Sequence, residues 1–163
     1  MDDPNYDAWI KETIMIGIKS IIVHMKQILH QDDAFIVNDN IKTILKIFFQ
    51  VKTCGYMLEQ LYEIVKLLVV DSPMDRTRLI AKEKASWLMK LINAHKLKEI
   101  TDAKENENSL VNRVYALCLD FLESQQSLLQ NDTSLKIYDR LFWLKPCCTY
   151  RLRQRMFSAF EKF

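Results

Sequence analysis

The chain reads as an all-α protein, and three observations carry that reading. Only two glycines and three prolines occur in 163 residues, whereas strand hairpins draw heavily on glycine for their tight turns. Apolar residues recur at three- and four-residue spacing, the repeat that lines one face of a helix. Polar breaks rich in Asp, Asn, Ser and Pro separate these stretches. Hydrophobic residues make up 49% of the chain, enough for a packed core, and the length suits one domain spanning 1–163. The expectation is a bundle of about six to seven antiparallel helices joined by short polar connections.

The first helix is expected over 5–30. Ile14, Met15, Ile18, Ile21, Ile22, Met25, Ile28 and Leu29 form a wide stripe, with Ile16 and Val23 roughly opposite. A helix apolar nearly all round sits between neighbours or offers its second face to a partner. After Gln31-Asp32-Asp33, Asn38 or Asp39 is placed to cap a second helix carrying Ile41, Ile44, Leu45, Phe48 and Phe49. Gly55 is placed to end it, although helix running straight through to Val70 is the alternative.

Tyr56 to Leu97 reads as a helical hairpin. Met57, Leu58, Leu61, Ile64, Val65, Leu68 and Val69 share one face of its first helix. Asp71-Ser72-Pro73-Met74-Asp75 breaks it, because Pro73 disfavours helix at Ser72 and Asp75 is suited to cap the second helix. Ile80, Ala81, Trp87, Leu88, Leu91, Ile92 and Ala94 share a face of that second helix, opposite Lys82, Glu83, Ser86, Lys90 and Asn93. Lys84 and His95 fall inside the apolar arc. One reading lays the Lys84 stem on the core with its head in solvent and keeps His95 partly buried and hydrogen-bonded. The sharper one places both in a groove around a partner carboxylate.

The sequence LLVVD at 67–71, the proline-containing turn, Arg78, Ala81, Ala85 and Leu88 together resemble a HEAT-type α-solenoid repeat. The likeness covers about one hairpin, with extra residues in the turn, no Val before the Arg and no clean copy elsewhere at a fixed period. It implies a HEAT-like stack of helices, as against an irregular bundle, and it implies no particular chemistry.

Thr101 to Ser109, TDAKENENS, lacks apolar residues and is expected to be a solvated loop dividing two sub-bundles. A helix over about 109–130 comes next, buried through Leu110, Val114, Leu117, Cys118, Phe121, Leu122 and Leu128. Asn131-Asp132-Thr133-Ser134 reads as a turn and capping signal, and also as a glycosylation pattern that matters only in a secreted protein. A short helix over 134–144 carries Leu135, Ile137, Tyr138, Leu141, Phe142, Trp143 and Leu144. Pro146 suits the first turn of a last helix over 146–162, with Leu152, Met156, Ala159, Phe160 and Phe163 on one side.

From Arg140 to Phe163 the chain holds six basic residues, Arg140, Lys145, Arg151, Arg153, Arg155 and Lys162, against one acid, Glu161. Trp143, Tyr150, Phe157, Phe160 and Phe163 interleave with them. The stretch has three readings: a solvated face over an aromatic core, a site for an acidic segment of a partner, or a nucleic-acid surface using phosphate contacts and base stacking. The formal net charge of only +2 disfavours nucleic acid as the general partner.

Cys54, Cys118, Cys147 and Cys148 form no CxxC pair and have no histidine cluster beside them, which points to reduced thiols and no metal. No glycine-rich phosphate loop, nucleophile elbow or HExxH motif is present, so no enzyme, catalytic residue or cofactor is expected. MDDPNYDAW does not resemble a secretory signal, and the apolar run from Ile14 to Val23 is short for a membrane span and contains Lys19. The expected function is therefore a non-enzymatic helical scaffold or adaptor in an intracellular complex, cytoplasmic or nuclear. Its partner is an acidic or amphipathic protein segment, met by Arg140, Lys145, Arg151, Arg153 and Arg155 and then by Lys84 and His95. The alternatives are a secreted helical-bundle signalling protein and a nucleic-acid-binding helical domain.

Overall fold

A computed structural model describes residues 9–17, 19, 20, 23, 43, 46, 55–69, 78–93 and 108–163. All the regular structure among them is helical, as expected. Residues 9–17 form α1, and residues 19, 20, 23, 43 and 46 are also helical. Gly55–Val69 is α2, Arg78–Ile92 is α3, Leu110–Gln125 is α4, Asn131–Leu144 is α5 and Tyr150–Glu161 is α6. Short 3₁₀ turns, Gln126–Leu128 and Lys145–Cys147, connect the last three.

One continuous apolar core joins these helices. Leu58, Leu61, Ile64, Val65 and Leu68 of α2 are fully buried, as their spacing predicts, and so are Leu88 and Leu91 of α3. Trp87 is buried beside them, and the Lys90 ammonium lies 4.3 Å from its ring centroid. α4 is the hub, packing against α2, α3, α5 and α6. It is buried nearly all round, through Val111, Tyr115 and Leu119 as well as Val114, Cys118, Phe121 and Leu122. The helix pairs α2–α3 and α4–α6 have the most extensive contacts. Met15 brings α1 into the same core, and Lys19 lies 3.9 Å from Glu63 of α2.

The structure corrects several sequence expectations. Asn131 to Ser134 is the first turn of α5 and not a connection: the Gln130 carbonyl accepts from the Thr133 and Ser134 amides at 3.0 and 3.2 Å. Pro146 lies in the 3₁₀ turn, and the last helix starts only at Tyr150. The reason is local capping, since Thr149 has extended backbone and its hydroxyl accepts from the Leu152 amide at 3.4 Å. The helix expected to reach residue 130 ends at Gln125, where the chain tightens into a 3₁₀ turn. Ser109, placed in the polar loop, is its N-cap and accepts from the Asn112 amide at 3.3 Å.

Gly55 is the first described residue of α2, and the helix it is expected to end lies outside the described residues. Ile14 belongs to the expected buried stripe of α1 but is 47% exposed, while its neighbour Met15 is fully buried; the buried face is narrower than the composition suggests. Lys84 does not carry its head to solvent. The whole residue is enclosed at 1% exposure and has an interaction there. The expected caps at Asn38, Asp39 and Asp75, the residue His95 and the 101–107 part of the polar loop lie outside the described residues.

Candidate interaction surface

The basic C-terminal stretch wraps the corner where α5 turns into α6. Three of its cations lie over aromatic rings. The Arg140 guanidinium is 5.7 Å from the Trp143 centroid, one turn along α5. The Lys145 ammonium, in the connecting 3₁₀ turn, is 5.5 Å from Phe157 of α6. Arg153 is 5.9 Å from Tyr150, again one turn away. A ring face attracts a cation through its quadrupole, so each pair holds a flexible charge against a flat apolar plate.

The rings differ in what else they do. Phe142 meets Phe157 edge-on at 5.7 Å and Phe160 at 5.4 Å, and Tyr138 meets Phe160 at 5.2 Å. These contacts lock α5 to α6, and the Tyr138 hydroxyl donates to Gln126 at 2.7 Å. Trp143 and Tyr150 are 46% and 68% exposed. Arg151, next to Tyr150 in sequence, is exposed.

Arg155 behaves differently from its neighbours. Its Nε donates to Glu123 at 2.9 Å, and its Nη2 donates to Glu123 at 2.7 Å and to Asp120 at 2.5 Å. Hydrogen bonding to Glu123, and then to Asp120, raises its already high pKa despite partial burial. Two carboxylates of α4 thus take up its charge, and its work is to clamp α6 onto α4. The six-to-one charge bias of the stretch is smaller in space than in sequence, but Arg140, Lys145, Arg151 and Arg153 keep the corner basic.

Arg153 points inward as well as outward. Its Nε is buried with no hydrogen-bond partner, and so is the Tyr115 hydroxyl of α4. Burial, reinforced by Cys148 and Cys118, raises the Tyr115 pKa, with Arg153 opposing. Burial likewise pushes the Cys148 thiol up to about 12, helped by Cys147 and opposed by Arg153, and raises Cys118 further. Thiols so disposed stay protonated at neutral pH and are poor nucleophiles and metal ligands. Among the described residues no three His, Cys, Asp or Glu side chains are placed to hold a metal, and no helix is long and apolar enough to cross a membrane.

Of the seven residues singled out from sequence, Arg140 lies in the last turns of α5, Lys145 in the connecting 3₁₀ turn, and Arg151 and Arg153 in the first turn of α6. The structure engages Arg155 internally and buries Lys84 in α3. Asn112 escaped the sequence reading. Its Oδ1 accepts from the Thr149 amide at 3.1 Å, which fixes where α6 begins. The signal in the chain was an amide side chain among the apolar residues that open α4. No family model, curated protein or solved structure matches this chain.

Proposed function

We propose that the chain is a non-enzymatic helical interaction module, and that its α5–α6 corner binds an acidic segment of a partner protein. The observation that carries this reading is the set of three cation–aromatic pairs, with Trp143 and Tyr150 left exposed beside Arg140, Arg151 and Arg153. Aromatic plates flanked by arginine are the kind of group that dominates protein interfaces, offering apolar area, stacking and carboxylate recognition together. The described cysteines are free thiols, which supports an intracellular setting.

The pattern of helix contacts supports a stack of hairpins as its scaffold. α2 packs on α4 and α4 on α6, while α3 packs on α5, the contacts that two layers of alternate helices would make. That is the arrangement HEAT-like repeats use, in which each hairpin buries its apolar face against the next.

The test is affinity capture from a cell extract with the intact chain, beside R140E/R151E and W143A; Trp143 and Arg151 are exposed and Arg140 is half-buried, so circular dichroism and melting temperature are checked for each variant. Capture of one protein by the parent, reduced about tenfold or more by either variant, is the expected result, since hot-spot truncations cost about 2 kcal/mol or more. Equal capture by all three chains moves the site elsewhere. Recovery of nucleic acid alone, with binding that falls steeply as salt rises, replaces the reading with nucleic-acid binding.

A further inference from the structure

A second surface lies at the other end of α5, about 20 Å from the corner at 1.5 Å of rise per residue. It is a cleft of about 730 Å³ between the start of α3 and the α4–α5 connection. Such a volume accommodates a short run of side chains. Arg78, Leu79 and Lys82 form one wall, and Leu128, Leu129 and Asn131 line the other. Arg78 and Lys82 are four residues apart, so they stand on one face of α3. Both are exposed, and among the described residues neither side chain forms an ion pair. Leu79 is 61% exposed beside them, the most exposed large aliphatic side chain among the described residues.

Electrostatics and apolar surface together restrict the occupant. Two unengaged cations attract an anion, and Gln130 makes no side-chain cap to α5, whose first amides add a little positive potential. Asp132, also on the rim, works against a compact dianion such as phosphate. A phosphate would moreover leave three leucines wet. An occupant carrying separate carboxylates around a bulky apolar side chain satisfies both walls. We propose that this cleft docks an acidic–apolar peptide segment of a partner protein, its carboxylates meeting Arg78 and Lys82 and its apolar side chain lying on Leu79, Leu128 and Leu129.

The probe is an array of peptides of about 12 residues that place Asp or Glu at every spacing from Leu, Ile, Phe or Trp. The intact chain is compared with R78E/K82E and with R140E/R151E, and binders are mapped by amide shifts on the ¹⁵N-labelled chain. The expected result is a set of binders that shift residues 78–82 and 127–133. R78E/K82E should weaken them about tenfold or more, with unchanged circular dichroism and melting temperature, while R140E/R151E leaves them intact. The proposal is overturned by an array with no binders, by binding that survives R78E/K82E, or by shifts confined to residues 140–153. It is also overturned if inorganic phosphate gives the same shifts and displaces the peptides. Because the two surfaces have separate variants, failure here and failure of the corner are told apart.

Discussion

Arg153 and Arg155 stand two residues apart on α6 and meet different surroundings. Arg155 is held by Asp120 and Glu123, whereas Arg153 keeps one nitrogen buried without a partner and rests on Tyr150. Arg155→Met should cost about 1 kcal/mol, because the network is partly exposed and screened, and partly because two long side chains no longer need ordering. Urea titration should show a lower midpoint with an unchanged slope. A much larger loss would mean that the clamp orients α6. Cysteine reactivity should divide in the same local way. Cys147 is partly exposed, while Cys118 and Cys148 are buried with raised pKa values. Of these three, Cys147 should react first with a disulfide reagent at pH 8, the others reacting only with the unfolding rate or in denaturant.

At the scale of the helix, α6 depends on a polar contact made from another element. The Thr149 amide donates to Asn112, and the Thr149 hydroxyl caps the first turn. Asn112→Ala strands a buried amide and should cost about 1–3 kcal/mol. Thr149→Ala removes only a cap and should cost about 1 kcal/mol. Hydrogen exchange should show the loss concentrated in α6 for both. Uniform loss across α2 to α5 would argue that α6 does not open separately. The α2–α3 pair rests instead on apolar packing. Leu88→Ala, at a fully buried site, should cost about 2–5 kcal/mol by lost transfer energy and a residual cavity.

The molecule as a whole is built around α4, whose contacts with four other helices place Tyr115 and Cys118 deep in the core. Tyr62, Tyr115, Tyr138, Cys118 and Cys148 all have pKa values raised, chiefly by burial. The sign of the resulting pH dependence is definite. Below the ordinary thiol value of 9.0 these groups are protonated in both folded and unfolded chains and cost nothing. Above it the unfolded chain releases protons first, so stability declines as pH rises from about 9 through 12. The urea midpoint should fall steadily across that range, and a C118A/C148A chain, whatever its absolute stability, should show a shallower fall. An equal slope in both chains would assign the alkaline loss to the tyrosines alone.

Helical structure and the buried faces of α2 and α3 were legible in the amino-acid order, whereas α4 is buried more widely than its periodic face, through Val111, Tyr115 and Leu119 as well. The legible facts come from apolar spacing and the scarcity of glycine, which act over one or two turns. The sequence also marked the basic, aromatic C-terminal stretch. Helix boundaries near residues 131 and 146 escaped it, because Asn, Asp, Ser and Pro serve equally well in a turn or in the first turn of a helix. Tertiary structure alone decided which charges remain available. Arg155 is engaged by residues 32 and 35 positions away, Arg113 reaches Glu59 across 54, and Asn112 reaches Thr149 across 37. The cleft between α3 and the α4–α5 connection exists only once those elements are packed. Periodicity states which face of a helix turns inward; which neighbour it meets, and at what register, is set by the packing of all the helices at once.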